Sequence, residues 1–148
     1  MTTVRLATID DVDILSPLFD GYRVFYRQAS NIDAARAFLI DRFHHKESVI
    51  FVAEANGEIL GFTQLYPTFS SVSLERFYIL NDLYVIPEAR GKGIGKAILN
   101  HCQEWAEKHQ LKGLALETAS DNPAQALYER EGWSKDEGFY HYFWTRSK

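Results

Sequence analysis

Apolar positions recur at two different periods along this chain, and the places where the period changes mark its elements. "TVRLA" (residues 3–7) alternates and reads as a short first strand. Thr8, with Asp11 three residues on, is close to a capping box, so a helix should start there. Val12, Leu15, Leu18 and Phe19 then recur at helical spacing, and Pro17 is expected to kink or interrupt that helix. A second helix is predicted from about Ile32 to Phe43, because Ile32, Ala35, Leu39 and Phe43 share a face. Between the two lies the aromatic and basic stretch "GYRVFYRQ" (21–28).

Period two returns in "SVIFVAEA" and "EILGFTQLYP", which flank Asn56-Gly57, the favoured two-residue hairpin turn. "TFSSVS" reads as a loop, and "LERFYILNDLYVI" as a longer strand that stops at Pro87 for want of a backbone donor. A glycine-rich loop follows. Beyond it Ile94, Ile98, Cys102 and Trp105 form an apolar stripe, so that helix should pack on the sheet. "GLALET" reads as a buried strand, Asn122 and Pro123 as the cap and first turn of a helix "AQALYERE", and "GFYHYFWT" as a closing aromatic strand. The predicted order is β-α-α-β-β-β-α-β-α-β, an α/β or α+β sandwich with helices over a mixed, mostly antiparallel sheet.

Composition narrows this to one domain over residues 3–148. A chain of 148 residues, 46% hydrophobic, can bury one good core but not two comfortable ones. A net charge of -4 argues against a nucleic-acid or acidic-membrane binder, which needs a positive surface. The lone Cys102 cannot pair internally, the first residues lack a signal-peptide run, and no stretch reaches transmembrane length; the expected location is the cytoplasm. The histidines lack zinc-site spacing, so no metal is expected.

The chemistry concentrates in "PEARGKGIGKA" (87–97). A strand turning into a helix points backbone N–H groups outward at the positive helix end, which suits an anion. Gly91, Gly93 and Gly95 let a ligand approach the main chain, and Arg90, Lys92 and Lys96 add charge. Phosphate or pyrophosphate is the natural guest. The P-loop spelling fails at Arg90 and Ala97, and the dinucleotide fingerprint fails at Lys96.

What fits is Arg-x-x-Gly-x-Gly between strand and helix. Here the chain resembles the GNAT superfamily of N-acetyltransferases over essentially its whole length: the family's "LxVxPxxRGxGIG" is matched by "LYVIPEARGKGIG", and its later Asn plus helical Tyr by "DNPAQALYEREGW". The resemblance implies the GNAT fold and acetyl-CoA as co-substrate. It implies that the backbone of Leu83 and Val85 pairs with the acetyl-pantetheine arm, that the stretch from Arg90 through Gly91, Lys92, Gly93, Ile94 and Gly95 to Lys96 cradles the pyrophosphate, and that Asn122 bonds the pantetheine. Tyr128 would stand beside the thioester sulfur.

Transfer to an amine needs a neutral nucleophile and a protonated leaving thiolate. An alkyl ammonium has a pKa of about 10.4, so a base or water relay must take its proton, while a phenol of about 10 can protonate a thiolate of about 8.5. Tyr128 is the candidate acid. Polyamine-acetylating relatives show "EDxxV" before the cofactor strand, where this chain has Asn81-Asp82; Asp82, Glu75 or a water relay must then serve as base. Positions 81 and 82 of a regular strand face opposite sides. "GYRVFYRQ" resembles the "GYxxFY" of a branch that acetylates polyamines, histones and other small amines, which implies that Tyr22, Phe25 and Tyr26 face a small-molecule or lysine-like amine. The terminal aromatics suit packing or a homodimer interface. The rival reading is a non-catalytic acyl-CoA-binding regulatory module of the same fold.

Overall fold

The computed structural model describes residues 1–147, which fall into two compact units, Met1–Glu117 and Thr118 onward. The first unit carries one five-stranded sheet in the order β1-β2-β3-β4-β5. Its strands are β1 (Thr3–Leu6), β2 (Val49–Ala55), β3 (Glu58–Ser70), β4 (Glu75–Val85) and β5 (Leu114–Ala115). The first four pair antiparallel and β5 joins β4 in parallel. Helices α1 (Val12–Phe25) and α2 (Ile32–His45) follow β1, and α3 (Ile94–Lys108) connects β4 to β5. The second unit carries α4 (Gln125–Arg130).

Local chemistry explains most boundaries. The backbone N–H of Thr8 donates to Asp11 Oδ2 at 2.8 Å, and Arg5 ties that carboxylate and Glu54 to β1 at 2.9 and 3.1 Å. Asn31 Oδ1 accepts from Ala34 N at the start of α2, and Arg42, His44 and His45 complement its negative end. Asn56 (φ 53) and Gly57 (φ 78) turn β2 into β3 with both central residues left-handed, the hairpin geometry their spelling predicts.

The sheet separates two apolar layers. On one side Leu15 and Phe19 of α1 and Ala35 and Leu39 of α2 bury Ile50, Val52 and Phe62. On the other, Ile94, Ile98, Leu99 and Cys102 of α3 are buried, and Trp105 packs edge-on against Phe51 and Tyr78. Burial in this layer pushes the Cys102 thiol up to about 12, which leaves it an inert core group.

Four expectations are corrected. Pro17 does not interrupt α1, which continues to Phe25: the bond it forgoes would have gone to the carbonyl of Asp13, an exposed residue where water can substitute. Of "GYRVFYRQ", expected between the two helices, residues 21–25 form the last turns of α1 and Tyr26, Arg27 and Gln28 follow its end. β3 runs past Pro67 to Ser70, because the last β2 pair is Val49↔Leu65 and Pro67 needs a partner on one side only. "GFYHYFWT" forms no strand among the described residues, because propensity without a hydrogen-bonded neighbour does not make a strand.

Candidate functional site

β4 bends where the chemistry gathers. Gln64 of β3 pairs with Asp82, but Leu65 pairs with Leu80, so Asn81 is an extra residue and β4 bulges there. Past the bulge the ladder is regular: Ile86 N donates to Leu60 O at 2.9 Å, so residues 82, 84 and 86 exchange bonds with β3. Leu83 and Val85 therefore turn their N–H and C=O groups to the opposite edge. β5 covers that edge only at Tyr78↔Leu114 and Ile79↔Ala115, which leaves the end of β4 free of a ladder partner among the described residues.

At the end of β4 the chain passes through a short turn, Pro87–Ala89, into the glycine loop. Gly91 (φ 76) and Gly93 (φ 82) both adopt left-handed backbone that side chains resist. Gly93 occupies the N-cap position of α3 and offers no side-chain cap, no acidic residue lies in the first turn, and the first helical bond is Ala97 N to Gly93 O. The N–H groups of Ile94, Gly95 and Lys96 precede that bond and have no carbonyl of their own helix. Lys92 and Lys96 stand exposed beside them. Arg90 is placed differently from its neighbours: its Nε donates to Val85 O at 2.8 Å and its guanidinium lies 5.9 and 5.4 Å from the ring centres of Phe25 and Tyr84. It thus holds the last turn of α1 to the end of β4.

The bulge also builds a buried polar group. Asp82 is only 1% exposed. Gln64 Nε2 donates to its Oδ2 at 2.7 Å, Asn81 Nδ2 to its Oδ1 at 2.8 Å, and Thr63 Oγ1 to its carbonyl at 2.7 Å. Burial pushes the Asp82 carboxyl up to about 6, and the bonds from Asn81 and Gln64 only partly oppose this. Among the described residues no cation pairs with it, and both side-chain donors are neutral amides. Tyr66 on the same side is pushed up by its own burial and by Asp82. Gln64 Oε1 is buried and finds no hydrogen-bond partner among the described residues. The expectation that Asn81 and Asp82 face apart is corrected, since the bulge brings their side chains into contact.

Tyr22 caps this region from α1, its hydroxyl donating to Asn81 O at 2.9 Å while its ring meets Phe19 and Phe62. Tyr26 lies 5.0 Å from Tyr22 and 5.2 Å from Phe25 between ring centres, and both Phe25 and Tyr26 are exposed. Tyr22, Phe25 and Tyr26 are thus brought to one place with Asn81 and Arg90. Glu75 is not: it opens β4 at the far hairpin, seven positions from Asp82, roughly 20 Å along the strand. Gln64, Thr63 and Tyr84 join the site without having been anticipated, and an internal polar pair inside an otherwise apolar strand, Thr63-Gln64, was the available signal.

Asn122 and Tyr128 belong to the second unit. Asn122 Oδ1 accepts from Ala124 N at 2.9 Å, forming the turn that precedes α4 and leaving its amide N–H₂ group for other work. Tyr128 is half-buried on α4, its ring 6.1 Å from that of Trp133. Gly132 (φ 92) ends the helix. Among the described residues no three His, Cys, Asp or Glu side chains gather as metal ligands, and no helix is long and apolar enough to cross a membrane.

Residues 15–133 match the model of the acetyltransferase (GNAT) family. The chain is 51% identical over 140 residues to the uncharacterized N-acetyltransferase YhfO of Bacillus subtilis (strain 168), covering 94% of each. It is 32% identical over 124 residues to a probable acetyltransferase of Haemophilus influenzae, covering 83% of this chain and 84% of that one. Among solved structures, that of a probable acetyltransferase superposes with a TM-score of 0.92 at 41% identity and covers 99% of both chains.

Proposed function

The chain belongs to the GNAT family of acetyltransferases, and from that premise we propose that it carries an acetyl group from acetyl-CoA directly to a primary amine, a small amine, polyamine or lysine-like group, through one domain spanning residues 3–148. The observation that carries this reading is the uncapped start of α3 beside the free edge of β4: amides 91–96 suit a diphosphate, and the outward groups of Leu83 and Val85 suit the amide-bearing pantetheine. Arg90 already occupies Val85 O, so the N–H of Val85 and both groups of Leu83 remain for that arm.

In the proposed reaction the neutral amine attacks the thioester carbonyl carbon, and the nitrogen gains a fourth bond and then sheds a proton. Asp82, directly or through a water, accepts it. A carboxyl pushed up to about 6 is a better proton acceptor near neutrality than an ordinary aspartate, and two neutral amide donors aim it without cancelling its charge. The tetrahedral intermediate then collapses, the C–S bond breaks, and the thiolate takes a proton from Tyr128, a role supported by the motif "DNPAQALYEREGW" and by phenol chemistry. Asn122 would bond the pantetheine through its amide. The faces of Phe25 and Tyr26 suit a cationic acceptor, and Glu75 enters this reading only as a remote surface group. A cytoplasmic setting agrees with the lone buried thiol of Cys102, and a homodimer with the exposed C-terminal aromatics.

An amine-panel assay of coenzyme A release, with polyamines, amino acids and lysine peptides side by side, tests the proposal. At least one amine should raise release far above the hydrolysis blank. Tight acetyl-CoA binding with no acceptor turned over would favour the regulatory-module reading, to which Asn81 at the expected acid position gives some weight.

A further inference from the structure

Gln64 and Asp82 face each other across the β3–β4 ladder, two positions from the pair Phe62 and Tyr84. The Phe62 ring meets Phe19 and Tyr22 of α1, so Gln64 and Asp82 lie on the face that α1 covers. Gln64 is 0% and Asp82 1% exposed. Gln64 Nε2 donates to Asp82 Oδ2 at 2.7 Å, while Oε1, on the same carbon as Nε2, is buried without a hydrogen-bond partner among the described residues. Two acceptors, one of them a carboxylate oxygen, are thereby held within an amide's breadth of each other. Burying an acceptor without a donor is costly and rare in folded proteins.

The charges around this pair leave it negative. Arg42 of α2 acts on Tyr66 and Arg90 lies over Tyr84, and among the described residues neither pairs with Asp82. The pair therefore suits a guest that brings both N–H groups and positive charge. A hard metal cation takes six or more oxygens, and no three metal-ligating side chains gather among the described residues. A guanidinium is broad and planar, whereas an ammonium is a compact point charge with three donors, the better match to oxygens so well covered. Tyr22, Phe25 and Tyr26 stand over the same face and would meet such a cation first.

We propose that Gln64 Oε1 and the Asp82 carboxylate together hold the acceptor nitrogen of a primary amine, which makes Gln64 a specificity-determining residue. As an ammonium the acceptor gives one N–H to each oxygen. As a neutral amine it keeps both bonds and turns its lone pair away from them, free to attack; after attack the N–H on Asp82 passes its proton to the carboxylate. A dialkyl amine brings a single N–H when neutral and an alcohol a single O–H, so each gives up one contact. The catalytic role of this site rests on the acetyl-transfer reading, but its binding does not.

Carbon-13 and nitrogen-15 spectra of the full chain, titrated with methylammonium chloride at about pH 9, test it. Asp82 is ionised there, also in a variant that loses the Gln64 donor, a loss that raises the carboxyl further. The Gln64 side-chain amide and the Asp82 carboxyl carbon should shift saturably, with a Kd on the order of 1–10 mM. Tetramethylammonium chloride, with the same charge and no N–H, should leave both unmoved. Gln64→Met keeps the length and loses the oxygen, and should weaken methylammonium binding roughly tenfold or more; Gln64→Glu keeps an acceptor, adds charge and should bind it more tightly. Equal responses to methylammonium and tetramethylammonium, no saturation by about 0.3 M, or unchanged affinity in a folded Gln64→Met would each overturn the proposal. The wild-type contrast and Gln64→Glu decide it should Gln64→Met fail to fold. An amine panel without turnover beside saturable methylammonium binding would count against acetyl transfer and for this site; turnover without that contrast would count the other way.

Discussion

Asp82→Asn should lower kcat by roughly 10²- to 10⁴-fold, the usual span for removing a positioned base, with acetyl-CoA affinity little changed. In the wild type the rate should climb as pH passes about 6 and then level, because Asp82 must be ionised to accept a proton; the variant should lose that limb. Stability gives an independent check with a definite sign. The folded value of Asp82 lies above its unfolded 3.8, so the stability this group contributes is fully present below about pH 4 and lost as pH rises through about 6. Ionising it in place costs on the order of 3 kcal/mol. At pH 8 the Asn variant, which carries no charge to bury, should therefore melt no lower than the wild type. A folded variant that stays active with the same pH limb would remove Asp82 from the chemistry, and one that melts well below the wild type at pH 8 would contradict the stability expectation.

Tyr128→Phe should reduce turnover by a comparable 10²- to 10⁴-fold and leave coenzyme A affinity near the wild-type value. The substitution deletes one hydroxyl and keeps the ring that packs at 6.1 Å from Trp133, so α4 and the turn after it should persist. The loss should be greatest with poor leaving groups, since only proton donation to the departing sulfur is removed. Unchanged turnover across good amines would take the acid role away from this residue.

Where a feature depends on neighbours in sequence, it could be read directly. Gly91 and Gly93 appear at positive φ in the loop their spacing marked, and Asn56-Gly57 closes the hairpin it spelled. Of the predicted face Ile32, Ala35, Leu39 and Phe43, Ala35 and Leu39 are buried and Ile32 is exposed, while in the stripe Ile94, Ile98, Cys102 and Trp105 all but the half-buried Trp105 are buried. Features that depend on a distant partner escaped. The bulge at Asn81 is a matter of register between β3 and β4, and no periodicity in β4 alone announces it. Gln64 looks like any strand glutamine until that register sets it against Asp82. Pro17 looked like a breaker because its spelling does not reveal that the orphaned carbonyl of Asp13 faces water. "GFYHYFWT" has strong strand propensity, but propensity alone does not establish the pairing that makes a strand.

The central claim is that main-chain amides at the start of α3 receive the diphosphate of acetyl-CoA. Isothermal titration of acetyl-CoA into the wild type and Gly93→Val tests it most directly. The wild type should bind one equivalent with a sub-millimolar Kd, and the variant, whose branched side chain resists φ 82 and so displaces the loop amides, should bind roughly tenfold or more weakly while remaining folded by circular dichroism. Absence of binding at millimolar acetyl-CoA, or equal affinity in a folded Gly93→Val, would contradict the account.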